Sequence, residues 1–443
     1  MKYLIFLIAF MGVLPLGYIL TLDRKYMRWA FFAVLLPVMM FNQVSINFFS
    51  HETYRGTSRG MEVSLVYLIA IAMLIGMWIL HQKKPLLPDT GSKIYWIYFL
   101  LCLPSLANAD NTLFSWFELW KMIMMYIVFL CTYYYLYYTK DFNTVIMGFG
   151  IVAGVTFLTV VYQHIKGIHQ ANGLFPHQNS MGMYMCLVAP IFFAYYFNRN
   201  KGWKRFLFAG FFLVASAACM RTYSRGAMVC LPFGCAITAL LSLRYQFHMR
   251  KIQILLPIFL VCFFGALLLL PNIIKRFENA PKESLMTRQY LAASAWNMMV
   301  DKPFAGVGLN NWGIKINPPY PYCEYRYEMS KRFSKDFKEG IVETSYLLVG
   351  AECGFLALAA FLAWLGYYYV AACKLVKQLR RTNLFYIPVG IVGGLTAIYL
   401  QSTLEWVMKQ QVNFIQMMML FAMLSILYKY CKKFASGEVE VSA

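Results

Sequence analysis

Long apolar runs separated by short polar segments dominate the chain from end to end. Windows of about 17–25 residues, the length that crosses a bilayer core, recur at about 3–20, 29–48, 62–80, 94–108, 116–138, 143–163, 180–197, 206–220, 227–243, 253–271, 342–371, 384–403 and 410–428. The pattern predicts thirteen helical spans, with the fourth and eighth short enough to be tilted, re-entrant or partly buried. One stretch breaks the rhythm. Residues 272–341 mix both charge signs, are rich in aromatic side chains, and carry Pro281, Pro303 and the run Asn317-Pro318-Pro319-Tyr320-Pro321-Tyr322. Such punctuation predicts a structured loop between two spans instead of one continuous helix. Inside it, apolar spacing predicts an amphipathic helix from Leu285 to Val300 lying on the membrane surface, followed by a tight turn at Pro303, Gly306 and Gly308.

Composition turns this pattern into a class. The chain is 60% hydrophobic and only 13% charged, against roughly 25% charged in a soluble domain. So few polar side chains cannot cover a water-soluble body of this size, and the excess apolar surface must face lipid. The expected fold is an all-α polytopic membrane protein of about 12–13 transmembrane helices with one large external loop between late helices. Its parts are N-terminal helices (1–170), helices with outer-face Asn and Arg motifs (171–271), the loop (272–341), C-terminal helices (342–430) and a short tail (431–443).

A net charge of +21 could suggest nucleic acid, but the basic residues are scattered between spans and not gathered on one soluble face. Their alternation reads as orientation. Alternate segments hold twenty-one basic residues, among them Arg24, Lys25, Arg28, Lys140, Lys251, Arg380, Arg381 and Lys429, whereas the other short segments hold seven. The first set is expected in the cytoplasm with the C-terminus, and the long loop and N-terminus outside. The first span is read as a retained helix. The eleven cysteines lie mostly in apolar spans without a CxxC pair, and carry no disulfide or metal signal.

Polar groups at the outer ends of spans are the candidates for chemistry, because ionised side chains at membrane depth are costly, at roughly 2.5–3.5 kcal/mol on insertion scales. Four places qualify. Gly173-Leu174-Phe175-Pro176-His177-Gln178-Asn179-Ser180 forms a shaped loop before a span, with Asn179 or Ser180 able to act as its cap. Arg221 and Arg225 stand four apart, on one face if the segment is helical, and guanidinium groups bind phosphate in pairs; a snorkelling pair at the headgroups is the plainer alternative. Arg288 lies on the amphipathic helix, from which it can reach back over the membrane core, with Asn311 beyond the turn. Glu343 and Glu352 follow the loop. On one continuous helix, nine residues turn them to opposite faces about 13 Å apart, so they are not expected to work as a pair. No nucleotide-binding or dinucleotide motif is present. A substrate must therefore arrive activated, and a lipid pyrophosphate meets that demand.

At these places the chain resembles the O-antigen ligase and polymerase superfamily, membrane glycosyltransferases acting on polyprenyl-pyrophosphate glycans. The resemblance covers roughly 170–425. It rests on Gly173, Phe175 and Asn179; on Ser224-Arg225-Gly226-Ala227; on Arg288, Trp296, Pro303, Gly306-Val307-Gly308 and Asn311; and on Tyr346-Leu347 with Glu352-x-Gly354. It implies a C-type glycosyltransferase-like fold in the bacterial inner membrane and metal-independent transfer at the periplasmic face without a cofactor. Arg225 and Arg288 would hold the donor pyrophosphate, and Arg221, His177, Asn179, Asn311 and Glu352 would contact substrate. The implied partners are an undecaprenyl-pyrophosphate-linked glycan donor, a glycan or lipid A core acceptor, and the bilayer, with no nucleic acid. The family's helix after the loop opens with His-Asn. Here Glu343-Thr344 or Thr344-Ser345 stands in that place, which makes Glu343 the candidate general base and favours polymerase over ligase. The alternative function is a transporter or flippase for lipid-linked glycan.

Overall fold

A lone apolar segment in lipid can satisfy its backbone only within itself, and the apolar runs become helices. The computed structural model describes residues 2–35, 45–81, 88–198, 202–257, 282–333 and 340–438. Along them run α1 (Lys2–Met11), α2 (Val13–Leu22), α3 (Arg24–Leu35), α4 (Leu65–His81), α5 (Thr90–Cys102), α6 (Thr112–Thr139), α7 (Phe142–Ile165) and α8 (Gln178–Asn198). There follow α9 (Lys204–Arg221), α10 (Arg225–Tyr245), α11 (Lys282–Asp301), the short α12 (Trp312–Lys315) and α13 (Glu324–Phe333), then α14 (Ser345–Gln378), α15 (Tyr386–Gln401) and α16 (Gln411–Ser436). Residues 249–257 are helical as well. Among the described residues, seven helical segments are long and apolar enough to cross a membrane, and α4 and α15 are shorter apolar helices. The protein is an all-α polytopic membrane protein.

Two expectations change. The second span, placed at 29–48, is not one helix: α3 is described to Leu35, residues 36–44 lie outside the described residues, and Ser45–Phe48 forms a strand, β1, antiparallel to β2 (Met61–Ser64). Ser-Ile-Asn-Phe and Met-Glu-Val-Ser alternate polar and apolar residues, which is the period of a strand. The fourth span, placed at 94–108, ends early, because α5 passes at Leu103 into a tight 3-10 turn over Leu103–Asn108. Most of the expected 253–271 span and the start of the loop lie outside the described residues.

Helix α8 is the hub, packed by α9, α10 and α15. Its apolar window is 94% buried within the protein, against 17% for the peripheral Tyr3–Leu22 segment. A Cβ on Gly394 would sit 2.2 Å from the Leu187 carbonyl, so only glycine lets α15 lie this close to α8.

The loop after α11 docks on a break in α14. Gly354 adopts φ 82°, and the Phe355 amide donates to the Pro303 carbonyl at 2.8 Å. The Val307 and Gly308 amides donate to the carbonyls of Ala351 and Glu352 at 2.9 and 3.1 Å. The glycines of this turn thus fasten the loop to the helix that carries the site.

The bundle has two unlike ends. The 21 residues of α8 rise about 30 Å, the thickness of a bilayer core. At its far end, Asn198 accepts from Lys251 Nζ at 2.6 Å. Around it, Arg28 pairs with Asp141 at 2.9 Å, Gln246 bonds the Arg380 carbonyl, and Lys140 sits over Tyr430. Arg28, Lys140, Lys251 and Arg380, all from segments expected on one side, thus lie at this end. Helix α8 starts at the other end, among the acidic and arginine side chains described next.

Candidate functional site at one end of the bundle

Four chain segments meet at the start of α8. Gln163 shapes the first, bonding Asn172 and both the amide and carbonyl of Gly173. Phe175 then inserts against Tyr184. His177 caps the helix: its carbonyl accepts from Met181 N, and its Nδ1 accepts from the Asn179 amide at 3.2 Å. Asn179 is therefore not the cap. Its side chain is turned away, and Nδ2 donates to Glu405 Oε2 at 2.5 Å.

The second segment opens α14. Thr344 Oγ1 donates to the Thr403 carbonyl at 3.0 Å, and Ser345 donates through its amide to Ser402 O and through its hydroxyl to Glu405 O. These bonds clamp the residues around Glu343 to the 402–405 turn. Glu343 precedes α14, whose first residue is Ser345, so the helical geometry expected for Glu343 and Glu352 does not hold.

The third segment is α11. Its buried face, Leu291, Ala295, Met298 and Met299, packs on Leu348 and Ala351 of α14. Arg288 lies one turn before Leu291 on that face, and its Nε meets Glu343 Oε2 at 2.5 Å. Arg288 thus reaches from α11 to the residue pair that opens α14. The fourth segment is the start of α10, where Ser224 caps by accepting from the Ala227 amide. Arg225 follows it, and its charge acts on both Glu343 and Glu405.

Two arginines and two carboxylates thus converge. Burial pushes the Glu343 carboxyl upward, with Arg288 and Arg225 opposing it. Glu405, only 6% exposed, is pushed up to about 7 by burial and then by the Glu343 carboxylate, against Arg288, the Asn179 hydrogen bond and Arg225. Burial lowers His177, favouring its neutral form. His177, Asn179, Glu343 and Glu405 line a cavity of about 1060 Å³, together with Arg55, Arg59 and residues of the β1–β2 ribbon. This is at the upper end of the volumes that hold small ligands.

Other expected site residues lie elsewhere. Arg221 closes α9, bonds the Tyr223 hydroxyl at 3.3 Å and contacts the His164 ring. Tyr223, at φ 51°, turns the chain between α9 and α10, so Arg221 and Arg225 share no helical face. Asn311 is fully buried: Nδ2 donates to Asn111 O, Ser115 Oγ and Leu309 O, and Oδ1 accepts from the Asn111 amide. Both amide atoms face protein. Glu352 is buried too, accepting from Lys409 Nζ at 3.2 Å.

Lys409 also reaches Glu118 at 3.5 Å, and Glu118 pairs with Lys121 at 2.6 Å. The hydroxyls of Thr57 and Ser58 donate to Glu118 at 2.7 and 2.6 Å. Two carboxylates and two ammonium groups balance inside the protein, which is the condition for burying them. Buried Asn310 pins the same loop, accepting from the Thr57 and Ser58 amides and donating to the carbonyls of Ser58 and Phe114.

The residue missed from the sequence is Glu405. It meets the same criterion as Glu343, an acid at a span end, but sits in the short gap between the last two expected spans.

Residues 209–362 match a family model described as O-antigen ligase. The match spans less than half of the chain, contains Arg221, Arg225, Arg288, Glu343 and Glu352, and supports the resemblance to the O-antigen ligase and polymerase superfamily. No curated protein matches the chain significantly.

Proposed function

We propose that this chain, a multi-pass membrane protein with an O-antigen ligase domain, transfers an undecaprenyl-pyrophosphate-linked glycan to a second glycan or to lipid A core at the periplasmic face of the inner membrane. The observation that carries the reading is the convergence of Arg225 and Arg288 on Glu343 and Glu405 beside the large cavity.

Arginine offers a pyrophosphate paired, charge-assisted hydrogen bonds. Before the donor arrives, Glu343 serves as counter-ion to Arg288 and fixes its direction. When the glycosidic bond to the pyrophosphate breaks, negative charge grows on the leaving oxygen. Guanidinium groups already in place stabilise it without reorganisation. The prenyl chain stays in lipid beside the bundle, while the glycan occupies the cavity. Glu343 is thereby a positioning group more than the base expected from its place in the sequence. With Glu343-Thr344 at the opening of α14 in place of His-Asn, polymerase is favoured over ligase.

Reconstitution in liposomes with the lipid-linked glycan fraction of the parent cells tests this. New glycosidic linkages and free undecaprenyl pyrophosphate are expected. Movement of the lipid across the bilayer with no new linkage would make the protein a flippase.

A further inference from the structure

The proposed reaction needs a group to take the acceptor's proton, and the segment between α15 and α16 supplies one. From the geometry we infer that Glu405 is the general base of glycan transfer, held by Asn179 at the cavity wall beside the Arg288–Glu343 ion pair. This rests on the reading above and assigns the one step that reading leaves open.

The two acids are not equivalent. Glu343 lies against a guanidinium at 2.5 Å and is half-buried, with its charge compensated. Glu405 is nearly fully buried and accepts from a neutral amide at 2.5 Å. Its backbone is fixed from the α14 side, where Ser345 Oγ donates to Glu405 O at 3.1 Å. Its side chain packs over Gly226, next to Arg225. Two carboxyl groups in such unlike surroundings divide roles: one remains an anion, and the other exchanges a proton near neutrality. The charged and titratable groups around Glu405 are Glu343, Arg288 and Arg225, together with Cys230 of α10 and His177, which lines the same cavity. Of these, the Glu343 charge raises its proton affinity and the arginines lower it.

The step balances without another reactant. The acceptor hydroxyl gives its proton to the Glu405 carboxylate while its oxygen bonds the anomeric carbon of the donor. The bond from that carbon to the phosphate oxygen breaks, and its electron pair leaves on the pyrophosphate, facing Arg225 and Arg288. The proton on Glu405 then passes to water. Because the base must be ionised, transfer rises with pH through the Glu405 ionisation and levels above it.

The test uses full-length protein in liposomes, single-turnover transfer of the lipid-linked glycan fraction between pH 5 and 9, and separate binding of undecaprenyl pyrophosphate. For the wild type, the rate climbs about tenfold per unit at low pH and levels above a midpoint near 7, the value to which Glu405 is pushed. Glu405→Gln lowers transfer at least about a hundredfold, the usual worth of a positioned base, leaves a pH-independent residue, and keeps undecaprenyl pyrophosphate binding. Glu405→Asp retains the rising limb at a reduced rate, and His177→Gln keeps the limb intact. If Glu405→Gln does not fold, the wild-type, Glu405→Asp and His177→Gln profiles decide alone. Near-normal transfer by Glu405→Gln, a rising limb that survives in it, or a limb lost in His177→Gln overturns the inference. So does loss of lipid binding in Glu405→Gln, which would make Glu405 a positioning residue. If the wild type binds no undecaprenyl pyrophosphate, the parent reading fails first.

Discussion

Asn179 and Glu405 stand 226 positions apart in the chain, yet the amide of one donates to the carboxylate of the other at 2.5 Å. The bond ties the start of α8 to the turn before α16. It closes a ring of polar side chains that no single segment contains. Arg288 enters that ring from α11, and Arg225 from the start of α10. The arrangement therefore depends on four separate parts of the chain.

On the proposed reading, replacing Arg225 or Arg288 by alanine removes a contact to the leaving pyrophosphate. Losing one partner of a desolvated charge pair costs about 2–5 kcal/mol, so each variant should transfer glycan on the order of a hundredfold or more slowly. Arg288→Lys should recover little, because a point charge cannot reproduce the planar fork. Single-turnover transfer at saturating acceptor checks this; lysine restoring full activity would contradict a paired contact.

Glu343→Gln has a signed effect on pH dependence. The Glu343 charge is one reason the Glu405 carboxyl is raised, and Arg288 and Arg225 pull the other way. Removing the negative charge, while leaving both arginines, eases ionisation of Glu405. The rising limb of the pH–rate profile should move to lower pH. A limb displaced to higher pH would show that the two acids are not coupled in this way.

The buried cluster of Glu118, Lys121, Glu352 and Lys409 predicts a non-additive pattern. Lys409→Met leaves two carboxylates beside one ammonium group, and breaking a buried pair costs about 3–5 kcal/mol. Adding Glu352→Gln removes the carboxylate left uncompensated, since Glu118 keeps Lys121, and should restore part of the loss. Thermal unfolding in detergent measures both variants; a double variant less stable than Lys409→Met would refute the pairing.

Asn310→Ala should act on stability. The side chain serves the amides of Thr57 and Ser58 and the carbonyls of Ser58 and Phe114, and each buried group left unpaired costs about 1–3 kcal/mol. The melting temperature should fall by many degrees. Asn311→Ala should likewise lower stability, while its folded fraction still binds undecaprenyl pyrophosphate.

The helices and several residues of the candidate site were legible in the sequence for one physical reason: both are read locally. Apolar length marks a span, and a charged or amide side chain at the end of a span stands out against lipid. Arg225, Arg288, His177, Asn179 and Glu343 were found this way, and all five belong to the ring or the cavity beside it. The β1–β2 ribbon was not, because a window of about 17 residues averages away the two-residue period of Ser45–Phe48 and Met61–Ser64. Asn311 and Glu352 illustrate a different limit. Both look like exposed functional groups in sequence, and only the tertiary structure reveals that their partners are Asn111, Ser115 and Lys409. Glu405 lay in plain view, but its relation to residue 179 depends on how α8 and α15 pack.

The most direct measurement is equilibrium binding of undecaprenyl pyrophosphate to the purified protein in detergent, set beside the same titration of an Arg225→Ala, Arg288→Ala double variant that retains its melting transition. Saturable binding by the wild type, weakened at least a hundredfold in the double variant, is the expected result. Equal affinity in both would mean that these arginines hold no diphosphate, and the proposed transfer chemistry would have to be abandoned.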